Sequence, residues 1–172
     1  MNRLILFRHG KAERSAPGGD IARRLTDRGR GDAGLMAAVL AGEGLVPDLV
    51  LVSAATRTQE TWAAAAPAFP DARAEVRRDL YLAEEGLILD LAETLGEGVG
   101  TVMVIGHNPG LQHLGLMLLM QGASGQAAIS RLQSKFATSS VAAFSFDADG
   151  RPAFDGLFHA SEHGGGAAGA DD

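Results

Sequence analysis

The chain contains no cysteine, which excludes disulfides, thiolate metal sites and thiol nucleophiles together. It also lacks any run approaching the ~18 continuous apolar residues of a membrane span. No basic leader, long apolar segment or small-residue cleavage site precedes the first strand-like stretch, Leu4-Ile5-Leu6-Phe7, so cytoplasm is the predicted compartment. Positive charge is in short supply as well. Fifteen Lys and Arg against twenty-one Asp and Glu give a formal net charge of −6, the wrong sign for a protein that works by neutralising nucleic-acid phosphates. Neither a nucleic-acid nor a membrane partner is expected. Chemistry has to come from His, Ser, Thr and acids, and any phosphate has to be met by a local basic pocket.

Three short apolar runs are present, Leu4 to Phe7, Leu49 to Val52 and Val102 to Ile105, separated by longer segments of helical spacing. They do not alternate as half-exposed strands do, and their Val, Ile and Leu content suits parallel strands covered on both faces. Thr26 has the character of an N-cap ahead of Leu35, Met36, Val39 and Leu40, with Gly42 and Gly44 as the stop. Thr56 to Ala66 predicts a second helix ending before Pro67, and Leu87, Leu91 and Leu95 mark a third that stops at Gly96. A fourth is predicted from Asn108-Pro109, with Asn as cap and Pro as the first helical residue, carrying Leu111, Leu114, Met117 and Leu118. Val141 to Phe146 and Pro152 to Phe158, joined through Asp147-Ala148-Asp149-Gly150, read as a hairpin or a pair of edge strands. The expectation is one domain over residues 1–160, a three-layer α/β/α sandwich with a mainly parallel sheet mixed at its edge. Residues 161–172, rich in Gly and Ala, are expected to form a loose tail that buries too little to offset the entropy of ordering.

Ligands in open α/β sheets gather beyond the carboxyl ends of the strands. There this sequence is basic. The first run is followed by Arg8-His9-Gly10-Lys11, the second by Ser53 and then Arg57, and the third by Gly106-His107-Asn108-Pro109. Two guanidiniums and two imidazoles converging on one crevice repel one another unless an anion sits among them, and a phosphate dianion meets that need. Arg pairs bidentately with phosphate oxygens, and Gly10 allows close approach of the backbone. Because Arg stays protonated, only a neutral histidine can be the nucleophile. A hydrogen bond on one ring nitrogen of His9 would aim the other at phosphorus, with Arg8, Arg57 and His107 on the equatorial oxygens and Lys11 and Asn108 beside them.

These residues bring a family into view. Arg8-His9-Gly10, Arg57 after Ser53, and Gly106-His107-Asn108-Pro109 resemble the histidine phosphatase superfamily. Arg8-His9-Gly10-Lys11-Ala12-Glu13, Leu25-Thr26-Asp27-Arg28-Gly29, Ser53 through Thr61 and Gly106 to Pro109, in that order, are similar to the small SixA-type phosphohistidine phosphatases. The resemblance implies a phosphoglycerate mutase-like fold, His9 as the phosphorylated nucleophile, Arg8, Arg57 and His107 as phosphoryl ligands, and no metal or other cofactor. Many superfamily members also supply a carboxylic acid from the segment that reads Leu80-Tyr81-Leu82-Ala83-Glu84-Glu85-Gly86 here; Glu84 is the candidate, with Glu85 behind it.

With little room for insertions over the site, the pocket is expected to be open and to suit a phosphohistidine presented on another protein, such as a phosphorelay or phosphotransfer carrier. The alternatives are a phosphatase of a small phosphorylated metabolite and a catalytically silent module that binds phosphoproteins. Lys135-Phe136-Ala137-Thr138-Ser139 also resembles a SixA-type stretch, with Ala137 where that stretch has Pro. Asp20, ahead of Arg23-Arg24 on a Gly-rich loop, reads equally as a solvated loop residue or a substrate contact. His113, one turn into the fourth helix, reads as a surface residue or one behind the site, and His159 and His163 form no metal-like spacing with His107.

Overall fold

A computed structural model describes residues 1–166. Its strands are β1 (Arg3–Arg8), β2 (Leu49–Ser53), β3 (Arg73–Arg77), β4 (Thr101–Gly106), β5 (Val141–Phe146) and β6 (Pro152–Phe158). The helices are α1 (Asp27–Gly42), α2 (Thr56–Ala65), α3 (Glu85–Leu95), α4 (Gly110–Gln121) and α5 (Gln126–Ser134). One sheet runs in the order β3-β2-β4-β1-β5-β6. Its first four strands are parallel, β5 pairs antiparallel with β1, and β6 pairs antiparallel with β5. This is a three-layer α/β/α fold of the phosphoglycerate mutase-like type.

The central strands are covered on both sides, as their unbroken apolar runs require. Leu4 and Leu6 of β1 face a core shared with Ile88 of α3, Leu111, Leu114 and Leu118 of α4 and Leu132 of α5. Ile5 and Phe7 face the opposite core, built with Ala33, Met36, Ala37 and Leu40 of α1 and Ala65 of α2. Thr26 caps α1 as its sequence position predicts: its Oγ1 accepts the Gly29 N–H at 3.0 Å. Gly96 ends α3.

Three features depart from the sequence reading. The fourth helix starts at Gly110 rather than at Pro109, and the Asn108–Pro109 bond is cis. Asn108 does not cap this helix, because its Nδ2 donates to Phe136 O at 2.9 Å. Strand β3 was not anticipated: Arg73-Ala-Glu-Val-Arg77 lies at the sheet edge, half exposed, and carries the charges that discourage edge-to-edge pairing instead of an apolar run. Helix α5 also goes unannounced, with Leu132 its single fully buried residue. Of the expected tail, residues 161–163 complete a 3-10 turn that begins at Ala160, and the Gly166 N–H donates to Asp32 on α1; residues 167–172 lie outside the described residues. Among the described residues no helix is long and apolar enough to cross a membrane.

Candidate active site

Parallel pairing of β1, β2 and β4 puts their carboxyl ends side by side, with Arg8 in register with Gly106 and Val52 with Ile105. The segments that follow therefore deliver His9, Ser53 and His107 to one place, and the first turn of α2 adds Arg57. The His9 and His107 ring centroids are 5.4 Å apart. All four side chains are buried.

Hydrogen bonds fix the state of His9. Its Nδ1 lies 2.7 Å from Gly10 O, and a carbonyl can only accept, so Nδ1 carries the hydrogen and Nε2 is left with its lone pair. Arg57 Nε donates toward that nitrogen at 3.3 Å. Burial first, then the positive neighbours His107, Arg8 and Arg57, lower the His9 pKa to about 3 against the opposing bond to Gly10. His107 is lowered to about 3 as well, by burial and by Arg57. Both rings are thus neutral near pH 7. His107 Nε2 shares a 2.7 Å hydrogen bond with Ser53 Oγ, while its buried Nδ1 has no partner among the described residues.

Arg8 is half-buried, and its pKa is lowered by burial and by Arg57. Its Nη1 donates to Phe136 O at 2.9 Å, the same carbonyl that holds Asn108, while its Nε is buried without a partner. Asn108 Oδ1 is likewise buried and unpaired. An unpaired guanidinium N–H of Arg8 beside a neutral histidine is what an anion would satisfy, whereas Asn108 Oδ1, an acceptor, calls for a donor. A cavity of about 410 Å³ opens beside Arg8 and His9 and is lined also by Lys11, Arg14, Arg23 and Thr138.

Residues that sequence reasoning passed over turn out to be the frame. Thr61, one turn beyond Arg57 on α2, accepts the Gly10 N–H at 3.0 Å and donates to Arg57 O at 2.7 Å, tying β1 to α2. The spacing of four residues from Arg57 was the available signal. Gly10 does permit close approach, but to protein: a Cβ there would lie 2.5 Å from Gly29 O at the start of α1. The Lys135 to Ser139 segment closes the other side, since Phe136 O holds Arg8 and Asn108, Thr138 lines the cavity and the Ser139 N–H donates to His9 O at 3.0 Å.

The segment expected to supply an acid contributes Tyr81 instead of Glu84 to this cluster. The Tyr81 ring meets His107 edge-on at 5.6 Å, and its hydroxyl donates to Asp20 Oδ2. Glu84 is exposed at the N-cap of α3 and makes no cap hydrogen bond, and Glu85 Oε2 lies 3.7 Å from His113 Nδ1. Asp20, left open from sequence, reaches the site: Oδ2 accepts from Arg57 Nη2 at 3.1 Å and Oδ1 from Arg23 Nη1 at 3.0 Å.

The model of the histidine phosphatase superfamily (branch 1) matches residues 4–86, which include Arg8, His9 and Arg57. The chain belongs to the histidine phosphatase superfamily. Within that superfamily, the structure described as phosphohistidine phosphatase SixA from Agrobacterium tumefaciens has 29% identity and a TM-score of 0.78, covering 92% of this chain and 97% of the other. A protein histidine phosphatase SixA complexed with tungstate has 27% identity and a TM-score of 0.76, covering 93% of this chain and 98% of the other. In sequence, an uncharacterized protein of Mycobacterium tuberculosis is 33% identical over 136 residues, 79% of this chain and 84% of its own length. Superfamily membership and the likeness to SixA structures together support a phosphatase.

Proposed function

We propose that this phosphatase hydrolyses phosphohistidine on proteins through a covalent phosphohistidine on its own His9. The observation that carries the reading is the His9 Nδ1 to Gly10 O bond, which leaves Nε2 unprotonated on a histidine that lines a basic cavity. His9 Nε2 attacks phosphorus, the bond to the substrate nitrogen breaks, and its electron pair leaves with the substrate imidazole. Arg8, Arg57 and His107 hold the equatorial oxygens as charge redistributes, with Lys11 and Asn108 beside them, while the Gly10 backbone is taken up by Thr61 and His9. Water then attacks the phosphorylated His9 and releases inorganic phosphate. Two guanidiniums supply the charge stabilisation that a metal supplies in other phosphatases, so the reading needs no cofactor.

Similarity to SixA structures supports phosphohistidine as the substrate class, and so does the state of the acids. An imidazole departs without the strong acid that an alkoxide requires, and Glu84, exposed three residues beyond Tyr81, is left to orient water or the incoming protein. The pocket opens beside His9 at the surface, which suits a side chain carried on a phosphorelay or phosphotransfer protein in the cytoplasm. Phosphate release from a phosphohistidine-bearing carrier, measured for the wild type and His9→Ala with chelator present, tests this. Release that is lost in the variant and insensitive to chelator is expected. No release by the wild type overturns the substrate assignment.

A further inference from the structure

Phosphoryl binding gives no role to Asp20, the carboxylate hydrogen-bonded to Arg57 at the site. Asp20 stands in a 3-10 turn (Asp20–Ala22), and its side chain reaches Arg57 from the open side: the paired side chains are 46% and 4% exposed, respectively. Three side chains fix its carboxylate, Arg57 Nη2 at 3.1 Å and the Tyr81 hydroxyl on Oδ2 and Arg23 Nη1 at 3.0 Å on Oδ1. Its main-chain oxygen takes Arg57 Nη1 at 2.8 Å as well. A carboxylate has about four acceptor positions, so three donors leave room for one more.

In-line displacement places the leaving atom opposite the attacking one. His9 Nε2 is at the buried end, beside Arg57 Nε. The leaving group therefore exits toward solvent, the side from which half-exposed Asp20 meets buried Arg57 and the cavity-lining Arg23. A carboxylate in that place repels a leaving oxygen that develops negative charge and attracts one that starts out positive. A phosphohistidine ring protonated on its second nitrogen is such a group. When the P–N bond breaks, the bonding pair returns to nitrogen, the ring leaves as neutral imidazole, and its proton stays on the ring as a donor to the carboxylate.

Resting on the phosphohistidine reading, we propose that Asp20 is a specificity-determining residue whose carboxylate, clamped by Tyr81, Arg23 and Arg57, selects phosphoryl donors with a cationic nitrogen leaving group over phosphate esters. The clamp also keeps the group an acceptor. Tyr81 first, then Arg23 and Arg57, hold the Asp20 carboxyl well below the usual carboxylate range, so it has no proton to give an alkoxide near pH 7. Through the same bond, Asp20 raises the Tyr81 phenol above its ordinary value.

The test compares kcat/KM on a phosphohistidine-bearing carrier protein and on p-nitrophenyl phosphate for the wild type, Asp20→Asn and Tyr81→Phe. Asp20→Asn is expected to lower phosphohistidine turnover roughly ten- to hundredfold, the range of one charge-assisted hydrogen bond, and to raise ester turnover. Tyr81→Phe, which removes one clamp and keeps the charge, is expected to shift the ratio in the same direction by less. Parallel losses on both substrates would reduce Asp20 to a structural role and overturn the proposal, as would an unchanged ratio. A wild type that hydrolyses the ester and not phosphohistidine would show instead that the functional reading has failed, and the selectivity proposal with it.

Discussion

Arg57 Nε lies 3.3 Å from His9 Nε2 and points its hydrogen at the one lone pair the imidazole has to offer. In the free protein, then, the proposed nucleophile is covered by the guanidinium proposed to receive the phosphoryl oxygens. The other two nitrogens of the same fork are held by Asp20. On the proposed mechanism an incoming phosphoryl group takes over Arg57 Nε and uncovers Nε2 in one exchange, while Nη1 and Nη2 stay on Asp20. Replacement by Lys loses the fork geometry and Ala loses the charge, so both variants are expected to lower kcat, Ala by about 10²–10³-fold on the scale of a lost transition-state donor. Steady-state kinetics of the two variants check this, and a loss confined to KM would contradict it.

Ser53 is predicted to set the tautomer of His107. If its hydroxyl donates to Nε2 across the 2.7 Å bond, the ring hydrogen sits on Nδ1, the nitrogen otherwise unpaired, and is available to a phosphoryl oxygen. Ser53→Ala should lower kcat by roughly tenfold and stability by about 1 kcal/mol, the usual size of one buried hydrogen bond. Kinetics alongside urea unfolding separate the two effects; stability loss with kcat unchanged would leave Ser53 a purely structural partner.

The two neutral histidines predict how stability depends on pH. Each has an ordinary value of 6.5 and is lowered to about 3 in the fold, so between these values the unfolded chain binds protons that the native chain does not. Stability from these groups is complete above pH 6.5 and is lost as the pH falls toward 3. At pH 5 the loss is on the order of 2 kcal/mol for each ring. Urea midpoints in phosphate-free buffer should fall from pH 7.5 to pH 5, and His107→Gln should flatten the decline. Equal midpoints at both values would contradict the assignment of neutral, buried rings.

The sequence makes the central sheet and the arms of the site legible for one reason: buried parallel strands announce themselves. Leu4 to Phe7, Leu49 to Val52 and Val102 to Ile105 are apolar because helices cover both of their faces, and the residues just beyond them had to meet. Edge strand β3 stays hidden because Arg73, Glu75 and Arg77 reflect solvent rather than a core. The contact between Asp20 and Tyr81 escapes notice for a different reason. They are 61 residues apart, in a 3-10 turn and a loop, and no periodicity connects them. Tyr81 lies in the segment expected to supply a carboxylic acid, yet that segment's placement against His107 depends on tertiary packing that local spacing does not encode.

The central claim is that phosphate passes through His9. Quenching the wild-type enzyme in alkali during turnover of a radiolabelled phosphohistidine-bearing carrier, then mapping the label by digestion and mass spectrometry, tests it most directly. The account predicts acid-labile, alkali-stable phosphate on His9 of the enzyme, and neither label nor turnover in His9→Ala. Label on another residue, or turnover by His9→Ala at the wild-type rate, would contradict it.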